Sequence, residues 1–179
     1  MTTTRSRTSV VARLCCALFA AALVLIPSTA ALAQSGDFKM ERIDPPTINT
    51  HPAYSQVTVV RGPHKLIFVA GQIDRPIDYR PGSNRCQHED WAGQYRGMNE
   101  NLELALKAAG ATWNDVVFIR RFVVDMKKYL AAIRDPQNPI PDYWKGQKRP
   151  PSTLIEVKAL SEPCQLMETD VIAVVPENR

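Results

Sequence analysis

Histidine and cysteine are scarce in this sequence of 179 residues, which contains three of the former and four of the latter. The histidines, His51, His64 and His88, stand far apart, and none has a second ligand at a spacing typical of a metal site, such as HxxxH or CxxC. We therefore expect no metal site.

The motifs that surround a nucleophilic serine are missing as well. No G-x-S-x-G or similar context encloses Ser55, Ser152 or Ser161. Ser152 follows two prolines at the start of a strand-like run, where a serine is more typical of a turn than of a nucleophile. The sequence therefore does not indicate a serine hydrolase.

Long apolar runs are confined to the start of the chain. Three arginines precede an apolar run over residues 14–26, which falls short of the roughly 20 residues that a membrane span needs. Pro27 ends the run, and the small residues Ala31 and Ala33 follow. This pattern predicts a secretory signal peptide over residues 1–33 and a single domain over residues 34–179, periplasmic or secreted and free of the membrane after cleavage. An uncleaved anchor is the alternative.

Positive charge is also scarce once this leader is set aside. The leader carries three Arg and no acidic residue, so its removal lowers the formal net charge from +4 to +1. The remaining domain has no cluster of Lys and Arg interleaved with aromatic residues, and nucleic acid binding is therefore not indicated.

Two cysteines remain in that domain, Cys86 and Cys164. In an oxidising compartment, two leftover thiols favour one disulfide, although two separate thiols are an open alternative. Cys86 stands in a polar loop from Asp74 to Glu89 that is long enough to suggest a function or a disulfide tether.

The hydrophobic periodicity predicts an α+β fold, a mixed sheet with two helices on one face. A β-hairpin is expected around Gly62, and an amphipathic helix runs from Trp91 to a stop at Gly110. The other expected elements are a central strand, a second helix stopped by prolines, and two final strands, with the sequences DVVFIRRFVVDM, KKYLAAIRD, STLIEVKAL and TDVIAVV.

Three charged residues in these strands are candidates for function. Glu168 opens the last strand beside an apolar run, where partial desolvation would raise its pKa toward that of a general acid or base; an ordinary solvated strand end is the alternative. Arg120 and Arg121 are neighbours in the central strand, so they must face opposite sides of the sheet. The one that is buried needs an anionic partner from the protein, a second subunit or a ligand.

Six segments in order resemble the RidA family of reactive-intermediate deaminases: AYSQV, LIFVAGQI, NLELALKAAGATWNDVV, DM, PPSTLIEVKAL and METDVIAVV. The resemblance implies a chorismate-mutase-like fold and a homotrimer with small-molecule clefts between subunits. It also implies hydrolysis of 2-imino acids, or their enamine tautomers, to 2-keto acids and ammonia without a metal or organic cofactor.

The resemblance also assigns roles to individual positions. Tyr54 falls at the family's cleft tyrosine, Gly71 at the glycine whose backbone faces the ligand, and Glu168 at the acidic position that holds the attacking water. Ala70 stands where the family often has a serine. Ser152 stands where the family has the arginine that binds the substrate carboxylate, so the informative feature there is a missing guanidinium.

The missing arginine leaves two functions open. One is a divergent enamine or imine hydrolase that uses Glu168 and a water and acts on a substrate without the usual carboxylate; the alternative for the missing guanidinium is a relocated cation from Arg149, Arg120 or Arg121. The other is a non-catalytic module that binds small molecules. The family's older label, endoribonuclease, is less favoured because the mature domain is nearly neutral.

Overall fold

The computed structural model describes residues 36–179, which form two layers, one of strands and one of helices. The predicted signal peptide lies outside the described residues. The elements, in chain order, are β1 Lys39–Ile43, β2 Val57–Arg61, β3 His64–Gln72, α1 Trp91–Ala108, β4 Val116–Val123, α2 Met126–Ala132, β5 Ser152–Glu156 and β6 Met167–Pro176. A 3-10 turn, Trp113–Asp115, leads into β4.

The main sheet has four strands in the order β3-β6-β4-β5. Strand β6 is antiparallel to both β3 and β4, whereas β5 is parallel to β4. The predicted mixed sheet is therefore confirmed, and the strand with two adjacent arginines, β4, lies inside it.

The predicted hairpin around Gly62 is wrong. Strand β2 pairs with β1 in a separate antiparallel pair, in which Lys39–Ile43 oppose Val57–Arg61, and β3 pairs with β6. The pairing runs from Lys39 opposite Arg61 to Ile43 opposite Val57, so β2 has β1 as its partner and not β3. This register brings the backbone before β1 against Gly62, where a Cβ would be 2.6 Å from the carbonyl oxygen of Asp37 and 2.7 Å from that of Gly36.

Helix α1 has the predicted boundaries to within one turn. The side chain of Asp90 caps its first turn by accepting a hydrogen bond from the backbone N–H of Gly93 at 2.8 Å. Its inner face is buried, and Gly110 follows its end with a φ of 73°, a value that glycine adopts without strain.

Helix α2 is shorter than predicted. It begins after Asp125, whose side chain accepts from the backbone N–H of Lys128, and it ends at Ala132, before the proline-rich segment. Its buried side chain, Tyr129, packs with Met98 of α1 and Val123 of β4. Both helices therefore cover the same face of the sheet, as predicted.

The two faces of the sheet are unlike. Along β6, Met167, Thr169 and Val171 are buried beneath the helices, and the residues between them point to the other face. On that face no helix covers the sheet within residues 36–179, and Leu66 and Phe68 are 52% and 72% exposed. We call it the open face.

An aromatic cavity on one face and a carboxylate on the other

A cavity of about 350 Å³ lies on the helix side of the sheet, between α1, α2 and the edge formed by β4 and β5. It gathers residues from α1, α2, β4 and β5, from the segments between them and from the segment between β1 and β2. Its lining includes His51, Tyr54, Tyr95, Trp113, Arg121, Tyr129, Tyr143, Trp144, Arg149, Ser152 and Leu154. Three of the predicted site residues, Tyr54, Arg149 and Ser152, therefore share one cavity.

Backbone hydrogen bonds hold two of these residues together. Tyr54 and Arg149 form a parallel β-bridge, and the backbone N–H of Ser55 donates to the carbonyl of Arg149 at 2.8 Å. The hydroxyl of Ser55 donates to the same carbonyl at 3.0 Å. The ring of His51 stacks on Tyr54 with centroids 4.7 Å apart, so this histidine, weighed in the sequence only as a metal ligand, belongs to the cavity wall.

The helix-facing arginine of β4 is Arg121, and it lies in this cavity. Its Nε donates to the hydroxyl of Thr169 at 2.9 Å and its Nη1 to the hydroxyl of Tyr129 at 2.8 Å. Its guanidinium carbon is 5.1 Å from the ring centroid of Tyr95, a distance typical of a cation–π contact. These contacts are all neutral, and no carboxylate pairs with Arg121 within residues 36–179.

The phenol groups of Tyr129 and Tyr143, which line the same cavity, do not offset the charge of Arg121. Burial raises the pKa of Tyr129, although Arg121 opposes that effect. Burial also raises the pKa of Tyr143, to about 12. Both phenols are therefore neutral near pH 7, and the positive charge of Arg121 is offset by dipoles and ring faces alone.

Glu168 and Gly71 lie away from this cavity. Glu168 is half-buried on the open face, where burial and the charge of Asp170 raise its pKa while Arg75 opposes them. A Cβ on Gly71 would be 2.7 Å from Cδ of Glu168 and would overlap its Oε1, so the backbone of Gly71 borders the carboxylate directly. The predicted desolvated carboxylate is present, bordered by the predicted glycine.

Arg120 lies on the open face too. Its side chain is 54% exposed and donates to Asp170 at 3.0 Å. The structure therefore places Arg120 outside the cavity that holds Arg149 and Ser152, and gives it a carboxylate partner already.

A disulfide joins Cys86 to Cys164, with their Cα atoms 6.0 Å apart. Beside it, the carboxylate of Glu162 accepts hydrogen bonds from the hydroxyl of Tyr79 and from the backbone N–H of Gly82, 3.0 Å away. The side-chain oxygen of Asn84 accepts from the backbone N–H of Cys164 at 2.7 Å. The long polar loop after β3 is thus tied to the turn that precedes β6.

Neither a metal cluster nor a spanning helix is found in the part of the chain that the structure describes. No group of three or more His, Cys, Asp or Glu side chains there could hold a metal ion. Among those residues no helix is long and apolar enough to cross a membrane.

Known proteins are similar to this chain in sequence and in fold. A family model described as Endoribonuclease L-PSP matches residues 46–175. A RutC family protein of Pyrococcus abyssi is 32% identical over 120 residues, which span 67% of this chain and 84% of that protein. A RutC family protein of Pyrococcus horikoshii is 31% identical over 108 residues, 60% of this chain and 78% of that one. A solved structure of a Rid protein family member from Yersinia pestis has a TM-score of 0.60 at 25% identity and covers 76% of this chain and 98% of its own.

Proposed function

Because this chain belongs to the RidA family, whose model matches most of its length, we propose that it hydrolyses reactive enamine or imine intermediates to a carbonyl product and ammonia. The observation that carries this proposal is the half-buried carboxylate of Glu168, whose pKa is raised and whose Oε1 borders the backbone of Gly71. A carboxyl group whose pKa is raised is a stronger base when ionised, and it can return the proton that it accepts.

The reaction needs two rounds of proton removal and delivery. Ionised Glu168 removes a proton from a water molecule as the water oxygen attacks the carbon of the C=N bond, and the carboxyl group passes that proton to the nitrogen. The carboxylate then removes the proton of the new hydroxyl group and delivers it to the same nitrogen as the C–N bond breaks, which releases ammonia and the carbonyl product. One water is consumed, one carbonyl and one ammonia are formed, and no electron is exchanged, so neither a metal nor an organic cofactor is required.

We further propose that the working site lies between subunits of a homotrimer. In one chain, Tyr54, Arg149 and Ser152 lie on the helix side of the sheet, whereas Glu168 and Gly71 lie on the open face. Proteins of this family commonly self-associate. The exposed Leu66 and Phe68 give the open face an apolar surface that a second copy would cover. Assembly would then bring one subunit's cavity to another subunit's carboxylate.

Export is part of the same proposal. The basic start, short apolar run and small residues before residue 34 support a cleaved signal peptide. The Cys86–Cys164 disulfide supports an oxidising destination, the periplasm or the extracellular space, because disulfides persist there and are reduced in the cytosol.

Ammonia release from freshly generated imines tests the reaction. An amino-acid oxidase supplies a panel of aliphatic and aromatic 2-imino acids, and ammonia is followed with and without the purified protein. We expect the protein to accelerate release for at least one member and Glu168→Gln to lose that acceleration. Equal rates with wild type, Glu168→Gln and buffer would reject the hydrolase.

The second candidate is a binding module without catalysis. Ser152 at the position of the family's carboxylate-binding arginine favours it, because a hydroxyl cannot supply the bidentate contact that orients a substrate. Tight binding of a carboxylate with no ammonia release from any imine would favour this candidate over the hydrolase.

A further inference from the structure

The aromatic cavity has a charge of one sign. Two arginines, Arg121 and Arg149, line it, and its lining, drawn from residues 36–179, contains no Asp or Glu. A pocket lined by two cations and no acid attracts anions, and the partly buried Arg121 does so more strongly than it would at an open surface.

Of the two arginines, Arg121 gives the stronger evidence for an anion site. Its Nε and Nη1 donate to the neutral hydroxyls of Thr169 and Tyr129, and no carboxylate among residues 36–179 pairs with it. A partly buried guanidinium gains most from a carboxylate, which accepts two parallel hydrogen bonds from it. The fold instead leaves this group beside an empty volume of about 350 Å³.

Arg149 brings a second guanidinium to the same volume. Its backbone is fixed on both sides, because its N–H donates to the carbonyl of Ala53 at 3.2 Å and its carbonyl accepts from Ser55 at 2.8 Å. Its side chain forms no ion pair with any residue in 36–179. An acidic residue, Asp142, lines a smaller adjoining cavity together with Arg149. The carboxylate of Asp142 already accepts from the backbone N–H groups of Trp144 and Gly146.

The rest of the wall suits a ring. Two tryptophans, four tyrosines and one histidine line the cavity, and adjacent rings contact one another. Trp113 is 5.4 Å from both Tyr143 and Trp144 between ring centroids. An aromatic ligand placed there gains offset or edge-to-face contacts in addition to burial of its area. A cavity of this size is at the lower end of the range for small-molecule sites, about 300–1,000 Å³, which fits a single-ring acid.

We infer that this cavity binds an aromatic carboxylate, with the carboxylate on Arg121 and Arg149 and the ring among the aromatic side chains. The site replaces the missing guanidinium at Ser152 with cations from β4 and from the segment before β5. The binding of an aromatic carboxylate does not depend on the proposed function. Only one step rests on that function: if the protein is a hydrolase, its substrate class is aromatic 2-imino acids and its products are the matching 2-keto acids.

Binding is measured directly, by calorimetry and by quenching of tryptophan fluorescence, and so does not depend on turnover. The probe is phenylpyruvate. Phenylacetate and phenylacetamide form a matched pair that differs in charge, and pyruvate lacks the ring. We expect phenylpyruvate and phenylacetate to bind at least about tenfold more tightly than phenylacetamide and pyruvate. Equal affinity for the charged and neutral members of the pair, or no binding at millimolar concentration, would overturn the inference.

Four variants locate the site. Arg121→Gln and Arg149→Gln should each weaken phenylpyruvate binding about tenfold or more, whereas Arg61→Gln, which removes the same charge from exposed strand β2, should leave it unchanged. Should Arg121→Gln not fold, Arg149→Gln decides, because its side chain is exposed and no described residue pairs with it. Wild-type affinity in Arg149→Gln and in a folded Arg121→Gln, or an equal loss in Arg120→Gln, would place the anion elsewhere.

The same variants separate this inference from the hydrolase. Binding that depends on both arginines, with no ammonia release from any imine, supports the cavity and rejects the reaction. Ammonia release that is equal in wild type, Arg121→Gln and Arg149→Gln supports the reaction and rejects the cavity as its substrate site.

Discussion

The backbone of Gly71 lies against the carboxylate of Glu168, so closely that a Cβ at position 71 would be 2.7 Å from Cδ and would overlap Oε1. Strands β3 and β6 are paired there with an irregular register between Val69 and Gln72. Glycine at this position leaves the carboxylate room to sit beside the strand. The glycine that the resemblance places against the ligand and the carboxylate that it assigns to the attacking water therefore lie in contact within one chain.

Gly71→Ala should separate activity from stability. The new methyl group meets the far end of a flexible side chain, so Glu168 can swing away at little cost to folding, but its carboxylate then leaves its position. We expect ammonia release to fall by about 10- to 100-fold, because a displacement of about 1 Å costs a catalytic group this much, with little change in Tm. Gly36→Ala is the control, because a Cβ there meets nothing within 4 Å. Full activity in Gly71→Ala would contradict a role for the contact.

Glu168→Gln should abolish hydrolysis without destabilising the fold. The pKa of Glu168 is raised in the folded state, first by burial and then by Asp170, so its ionisation there costs folding free energy as the pH rises above the ordinary value of 4.5. The amide removes that cost. Thermal unfolding should show Tm of the variant at or above that of wild type at pH 7, and the difference should vanish below pH 4.5.

The pH–rate profile of wild type gives an independent check on Glu168. Since only the ionised carboxylate can remove the proton from water, the acid limb of kcat/KM should have its midpoint above pH 4.5. A midpoint at or below that value, or a Tm of Glu168→Gln well below that of wild type at pH 7, would contradict the raised pKa.

The disulfide should make a large contribution to stability. Cys86 and Cys164 are 78 positions apart, and closing a loop of that length is worth about 3–5 kcal/mol in the chain-entropy model. Urea unfolding at fixed protomer concentration should therefore show a loss of this size on adding a reductant. The double variant Cys86→Ala/Cys164→Ala should be equally destabilised, and the reductant should not affect it. Equal stability of wild type with and without reductant would contradict the contribution.

The sequence predicted the local elements better than their partners. Helix α1 could be located because its apolar spacing, its Asp90 cap and Gly110 are all local signals. Strand β1 was missed because its sequence, KMERI, alternates too weakly to stand out. The hairpin was wrong because β2 pairs with β1, a strand whose weak pattern did not show it as a competing partner.

In the candidate site, too, the sequence predicted local features but not contacts between distant segments. Side-chain alternation in β4 was enough to predict that one of its two arginines faces the helices, but not which partners it would have there. Tyr129 and Thr169 come from α2 and β6, and their contact with Arg121 arises from packing between layers. The sequence did contain one usable signal. Tyr129 stands among the apolar residues of α2, the short helix that follows β4.

Ser152→Arg should change which substrates the protein accepts. Ser152 opens β5 opposite Ile119 and lines the cavity that holds Arg121 and Arg149. In wild type, a short aliphatic imino acid places its carboxylate at the arginines only by leaving the aromatic wall unfilled, so we expect poor hydrolysis of 2-iminobutyrate. An arginine at position 152 offers such a substrate a bidentate contact at the mouth of the strand, and its kcat/KM should rise.

The same substitution should harm aromatic ligands. The longer side chain fills part of a cavity of about 350 Å³ and adds a third cation to two that already face it, so phenylpyruvate should bind more weakly. Ser152→Met is the matched control, because it adds a side chain of comparable length without charge and should weaken phenylpyruvate without improving 2-iminobutyrate. If Ser152→Arg improved both phenylpyruvate binding and the hydrolysis of 2-iminobutyrate, the carboxylates of aromatic and aliphatic acids would both bind at position 152. In that case Arg121 and Arg149 would not be the carboxylate site.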